Sequence, residues 1–180
     1  RGVRELIWGV QDIDYNDVSD ELNMSDRISS RGVEFIADKQ WSRQWYTHFN
    51  ISFIDVQNQD LNLPGRHDFG HIINLSVSKE WELRHQRQFI VNIAWHNRGG
   101  TNEYFYQTNS DSFTSSQLEN FSRIDMRLQW GNNKSLWVLD IQNMTGRIND
   151  AFNFYDPLLD EYVSENQLGL IPILSYKRYL

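Results

Sequence analysis

Between residues 122 and 130 every second side chain is apolar: Ile124, Met126, Leu128 and Trp130 alternate with Arg123, Asp125, Arg127 and Gln129. A strand turns successive side chains to opposite faces, so a period of two predicts a β-strand with one apolar and one wet face. The pattern recurs at Phe89, Val91, Ile93 and Trp95, set against Asn92, Ala94 and His96. It recurs again at Phe69, Ile73, Leu75 and Val77, with one breach at Ile72, and at Trp45, Thr47, Phe49, Ile51 and Phe53, which oppose Tyr46, His48, Asn50, Ser52 and Ile54. Val33, Phe35 and Ala37 form a further series, as do Trp137, Leu139 and Ile141, and Leu168, Leu170, Leu174 and Tyr176. A weaker strand is expected over residues 3–12. The pattern predicts an all-β chain of about eight antiparallel strands in up-and-down order.

The links between these segments alternate in length. Residues 39–43, 82–87 and 131–134 are short and hairpin-like, whereas 13–29, 56–66, 97–120 and 145–165 are long, polar and rich in Asn, Asp, Ser and Gly. Short turns at one end and long loops at the other are the layout of a transmembrane β-barrel. Trp41, Trp45, Trp81, Trp130 and Trp137 flank the three short links, so five of the seven tryptophans fall at one level. An amphipathic indole favours a membrane interface, and a belt at the strand ends is what a barrel's girdle requires. Alternation alone does not separate such a barrel from a soluble β-protein with tryptophans in its core; the belt and the loop asymmetry do.

Composition narrows the alternatives. With 17 basic and 24 acidic residues the chain carries a net charge of −7 and has no basic run, which argues against a nucleic-acid partner. Cysteine is absent, so disulfides, thiolate metal sites and thiol chemistry are excluded while the compartment stays open. No run approaches the roughly 18 apolar residues of a membrane helix, an observation without weight for strands, where only alternate residues meet lipid. The start at Arg1-Gly2-Val3 lacks the charged head and apolar core of a signal peptide, and a mature chain or a portion of a longer one is expected.

Three late segments carry a more specific signal: Arg-Ile-Asp-Met-Arg-Leu-Gln at 123–129, Leu-Asp-Ile-Gln-Asn at 139–143, and Gln-Leu-Gly-Leu-Ile-Pro-Ile-Leu-Ser-Tyr-Lys-Arg-Tyr-Leu at 167–180. In order and spacing they resemble the last three strands of Bacteroidetes-type TonB-dependent receptors. Arg31-Gly32-Val33-Glu34-Phe35 and Asn97-Arg98-Gly99-Gly100 are similar to that family's preceding strands, and the likeness extends over about residues 30–180. The ending Tyr179-Leu180 departs from the family's usual terminal aromatic, and Arg178 stands where an apolar residue is usual.

The resemblance implies that residues 1–180 are the C-terminal portion of a barrel of about 22 strands around a plugged lumen, in the outer membrane of a Gram-negative bacterium. It implies nutrient uptake. Outer-membrane lipid is the expected surround, and a surface lipoprotein is a possible partner. The TonB complex would be engaged through parts of the receptor outside this chain, the plug among them. Pro172 within the last strand predicts a local bulge.

Faces follow from the alternation. Lipid-facing positions are expected at Phe89, Val91, Ile93, Ile124, Met126, Leu128, Leu139 and Ile141. Lumen-facing candidates are His48, Asn50, Asn74, His96, Arg123, Asp125, Arg127, Asp140 and Gln142. The last five would share one face as a solute path or as an ion-pair ladder that stiffens the wall. No nucleophile, base and orienter come together among them, so catalysis is not expected. His67 and His71 would lie about 13 Å apart on a strand, too far for one metal, and neither metal nor cofactor is expected. Asp12, Asp14, Asn16, Asp17, Asp20 and Glu21 begin like a calcium loop, but Asp17 stands where Gly is needed and Asn23 where the bidentate Glu should be; a solvated loop is the expectation. The competing readings are a complete eight-stranded outer-membrane barrel with a structural or adhesive role and a soluble carbohydrate-binding module.

Overall fold

The alternating segments pair in the order in which they occur. A computed structural model describes residues 6–15, 27–107, 112–156, 158 and 161–179. Its strands are β1 (Leu6–Tyr15), β2 (Ile28–Gln40), β3 (Trp45–Asn58), β4 (Leu63–Pro64), β5 (Gly70–Leu83), β6 (Arg87–Arg98), β7 (Asn102–Gln107), β8 (Ser112–Gln117), β9 (Phe121–Asn132), β10 (Ser135–Gln142), β11 (Asp150–Asp156), β12 (Glu161–Asn166) and β13 (Ile171–Arg178). The main sheet runs β1-β2-β3-β5-β6-β9-β10-β13, antiparallel throughout, with β4 paired to the end of β3. Among the described residues β1 and β13 each have one neighbour, so the sheet is open.

Register sorts the side chains. In an antiparallel pair, residues directly opposite share a face. Phe35 is opposite Ile51, Phe49 opposite Leu75, Val77 opposite Ile93, Ile93 opposite Met126 and Leu128 opposite Leu139, with Leu174 next in line. From β2 to β13 the apolar positions therefore line one face. They are not buried by anything: Phe35, Phe49, Phe53, Ile93 and Leu174 are all exposed, and Val56 and Val138 are the only buried apolar side chains among the described residues.

Three tight links join the strands at one end. A single turn of 3-10 helix, Ser42–Gln44, connects β2 to β3, closed by Trp41 N–H donating to the Trp45 carbonyl at 2.8 Å. Arg84, His85 and Gln86 connect β5 to β6, and Asn133 and Lys134 connect β9 to β10. In the last turn the Asn132 side-chain oxygen accepts from the backbone N–H of Lys134 (2.8 Å) and of Ser135 (3.0 Å), the side-chain mimic of a turn for which Asn is suited.

Several boundaries differ from the sequence expectation. The first strand is described from Leu6 and runs to Tyr15, beyond the expected end at residue 12, with residues 3–5 outside the described residues; the last begins at Ile171, leaving Leu168 and Leu170 exposed ahead of it. Backbone pairing also continues beyond the apolar stretch, so β2, β3 and β9 are longer than their alternation indicates. The link from β6 to β9, expected as a polar loop, holds the β7-β8 hairpin, and that from β10 to β13 holds β11-β12. At 6 or 7 residues these strands are too short to display a period. No bulge forms at Pro172: the register runs unbroken from Ser135 opposite Arg178 to Gln142 opposite Ile171. Most of the acidic segment considered for calcium, residues 16–21, lies outside the described residues.

Asn132→Ala removes both side-chain bonds of the β9-β10 turn. A loss of about 1–2 kcal/mol in reversible urea unfolding is expected, with Asn132→Asp much milder because it keeps the acceptor.

Candidate functional site

Opposite the apolar face lies a mostly polar one, interrupted by Ile36, Ile54, Ile72 and Ile90. Asn50 is opposite Asn74, Asn74 opposite His96 and His96 opposite Arg123, so a polar row crosses four strands. Lateral hydrogen bonds hold it. The His96 ring Nδ1 is 2.8 Å from Asn74 Oδ1, its Nε2 lies 3.7 Å from Asp125, and Arg123 pairs with Asp125 at 2.9 Å. Asp125 also accepts the backbone N–H of Asn143 at 2.8 Å, which ties the strand face to the loop above it. One step towards the turns, Arg127 stands opposite Asp140 with a 3.4 Å ion pair.

The β2-β3 side repeats the arrangement. His48 Nδ1 meets Asp38 at 2.6 Å, Asn50 donates to Glu34 at 2.8 Å and Ser52 donates to the same carboxylate at 3.2 Å. Gln142 follows Asp140 by two on β10 and is exposed on the same face. Thus His48, Asn50, Asn74, His96, Arg123, Asp125, Arg127, Asp140 and Gln142 share one face, while Phe89, Val91, Ile93, Ile124, Met126, Leu128, Leu139 and Ile141 share the other. His71 falls on the apolar side near the loops and contacts Asn97 at 2.8 Å, and His67 stacks near Phe69 with centroids 5.8 Å apart. Among the described residues, no three His, Asp or Glu side chains gather as metal ligands, and no hydroxyl sits against a histidine ring.

The long loops form a second part of the site, which pattern reading does not reveal. Asn149 is buried and completes a two-bond pair with the backbone of Ser122, accepting its N–H at 3.0 Å and donating to its carbonyl at 3.1 Å. Buried Asn102 donates to the carbonyls of Gly65 (3.0 Å) and Asp68 (3.3 Å), and Asn143, the most buried side chain, donates to that of Arg147 at 2.9 Å. An amide side chain reproduces the donor and acceptor of a peptide group, so these asparagines satisfy loop backbone that lacks a strand partner. Gly99 and Gly100 allow the close approach: a Cβ would lie 1.9 Å from the Phe69 carbonyl oxygen at Gly99 and 1.7 Å from that of Leu118 at Gly100.

Side chains also join one loop to another. The Glu103 carboxylate on β7 grips Asn153 on β11, accepting its backbone N–H at 2.8 Å and its side-chain amide at 2.7 Å. Tyr104 donates its hydroxyl to the Pro64 carbonyl at 2.5 Å, and Arg147 donates to that of Asn120 at 3.0 Å. Arg98 lies between two rings, 4.3 Å from the centroid of Phe69 and 5.4 Å from that of Phe121. At the far side of the same end, Asp60 accepts the Arg27 backbone N–H at 2.7 Å and pairs with its guanidinium at 3.0 Å. Those bonds, the backbone one foremost, hold the Asp60 carboxyl below its ordinary value of 3.8. A depressed carboxylate stabilises the fold above its unfolded value, so this contribution is complete above pH 3.8 and is lost only as pH falls below it.

The arrangement presents a wet, mutually hydrogen-bonded sheet face beneath a platform of tied loops, suited to contact with a polar solute. The clue in the sequence was the clustering of Asn and Gly at strand ends, Asn97-Arg98-Gly99-Gly100 above all; the pairing of Glu103 with Asn153, fifty residues apart, had none.

Glu103→Ala should release the β11-β12 hairpin from β7. Faster proteolytic cleavage within residues 150–166 is expected, with cleavage of the main sheet unchanged. Gly100→Ala should cost about 1–3 kcal/mol in unfolding, because its methyl group meets backbone rather than a movable side chain. No protein family, curated protein or solved structure matches this chain.

Proposed function

We propose that this sheet is a stretch of barrel wall in a Gram-negative outer membrane, from a TonB-dependent receptor for a scarce nutrient. The observation that carries the membrane part is an unbroken row of aromatic side chains at the short-turn end of the apolar face. Trp81 is opposite Phe89, Phe89 opposite Trp130, Trp130 opposite Trp137 and Trp137 opposite Tyr176, across β5, β6, β9, β10 and β13. All but Phe89 are exposed, although a water-soluble fold has every reason to bury indole rings. Such a row at one level matches the preference of amphipathic rings for the headgroup region.

Dimensions agree. From Trp45 to Phe53 the apolar face of β3 extends about 27 Å along the strand, or about 21 Å along the normal at a barrel tilt of about 40°, near the roughly 25 Å of an outer-membrane band. This span favours a sheet with lipid on one side over a soluble carbohydrate-binding module.

The open edges favour a larger wall over a self-closed barrel. Unpaired N–H and C=O groups within hydrocarbon cost several kcal/mol each, so β1 and β13 call for further strands. In this reading Phe89, Val91, Ile93, Ile124, Met126, Leu128, Leu139 and Ile141 meet lipid, and the polar face with its tied loops meets solute and plug. The TonB-dependent part rests on the resemblance of the last three strands, and its mechanism is plug rearrangement powered through TonB.

Ile93→Arg should impair insertion by about 2–4 kcal/mol while Gln129→Arg stays mild, as measured by folding into lipid vesicles. Equal effects at the two positions would remove the membrane assignment. Transport is tested separately: deleting this protein and deleting TonB should abolish uptake of the same nutrient, and uptake that survives loss of TonB would refute the receptor reading.

A further inference from the structure

At the level of the aromatic row, charge is sorted between the faces. Register places Lys39, Lys79, Arg87 and Arg178 on the apolar face, where no acidic side chain stands at this level among the described residues. Asp38, Glu80 and Glu82 point to the opposite face, with Lys177. A wall needing only solubility at its rim has no reason to separate the signs.

Two of these cations, Lys39 and Lys79, stand over tryptophans beside an opening. Between the β2-β3 turn and β5 lies an open cavity of about 560 Å³ lined by Trp41, Arg43, Trp45, Thr47 and Val77 among others. The Lys39 ammonium sits 3.7 Å from the centroid of the Trp41 ring, and that of Lys79 is 5.6 Å from Trp45 and 5.5 Å from Trp81. Lys79 donates to the backbone carbonyl of Arg43, and the Trp41 indole donates to the Thr47 hydroxyl, so Lys79 and the Trp41 ring are each tied to the β2-β3 hairpin. Arg43 has φ of 62° and Gln44 of 60°, the left-handed backbone by which the chain reverses in this short turn. The floor is apolar and the rim cationic, which matches an acyl chain below and a phosphate above.

Resting on the membrane reading proposed above, the geometry points to a binding site for an anionic phospholipid at the short-turn end of β2, β3 and β5, with the phosphodiester on Lys39, Arg43 and Lys79 and an acyl chain along Trp45 and Val77. The ligand chemistry is a phosphate monoanion joined to a hydrocarbon tail, as in phosphatidylglycerol. Cation–π contact with the tryptophans leaves each ammonium part of its donor set, and a phosphate oxygen can take up the remainder.

The test uses the protein at its natural full length in bilayers containing equal fractions of brominated lipid, where bromine on the acyl chains quenches nearby tryptophan. Brominated phosphatidylglycerol should quench more strongly than brominated phosphatidylcholine, with a relative association constant about fivefold in favour of the anionic lipid. In the variant Lys39→Gln, Arg43→Asn, Lys79→Gln the two lipids should quench equally, at the level of phosphatidylcholine in the natural protein; Lys79→Arg alone should keep the preference. Equal quenching in the natural protein, or a preference that survives the triple variant, overturns the site and leaves the membrane reading standing. If neither lipid quenches, the membrane reading fails and the site with it. Excess inorganic phosphate should leave the preference intact; its loss would make the site one for free phosphate and overturn the lipid assignment.

Discussion

Register between neighbouring strands decides which side chains share a face, and a slip by one residue would exchange the two faces of a strand. No slip occurs from β2 to β13 on the main sheet, and the apolar rows Phe35–Ile51–Ile73, Phe49–Leu75–Trp95 and Val77–Ile93–Met126 stay in line across the strands. Everything else in the molecule depends on that pairing. With only two buried apolar side chains among the described residues, no packed interior holds the strands together; backbone hydrogen bonds and lateral contacts along both faces do. The polar ladder from Glu34 to Asp140 therefore contributes to the sheet's cohesion, since Glu34–Asn50, Asn74–His96 and Arg127–Asp140 each join side chains from adjacent strands.

The two ends of the sheet solve different problems. At the short-turn end the chain reverses within two to four residues, with side-chain or backbone bonds closing each turn, and the tryptophans gather there because the register aligns them. At the other end the chain must travel farther between strands, and the backbone it exposes is satisfied by asparagine side chains and by two small hairpins. The same sequence thus builds a smooth rim at one end and a structured platform at the other.

Much of the sheet was legible in the residues because a period of two is a strong signal over nine or more positions. Arg123 to Trp130 gives β9 almost to its ends, and Phe89 to Trp95 gives the middle of β6. Less was legible where pairing outruns hydrophobicity: β3 continues to Asn58 through residues whose apolar face no longer holds, and β5 runs to Leu83 through residues 82 and 83, which read as part of the short link. The hairpins β7-β8 and β11-β12 were hidden for another reason. Each is short and polar, and its contacts are with other loops, so the information that fixes Glu103 to Asn153 lies in three dimensions and leaves no local trace. Pro172 shows the reverse: the bulge its residue type suggests does not form, and the register of β13 against β10 runs through it without a shift.

The tie between Glu103 and Asn153 bears on how such a surface can change. Where loops are independent, each can lengthen, shorten or be exchanged without regard to the rest, and a recognition surface diversifies one segment at a time. Here the link after β6, the link after β10 and the strand fragment at Leu63–Pro64 share hydrogen bonds, so an insertion in one shifts the footing of the others. Variation that preserves the platform must be concerted, or confined to the tips beyond the clamp. Grafting a single loop onto another barrel would transplant half of an agreement; the transferable module is the set of three.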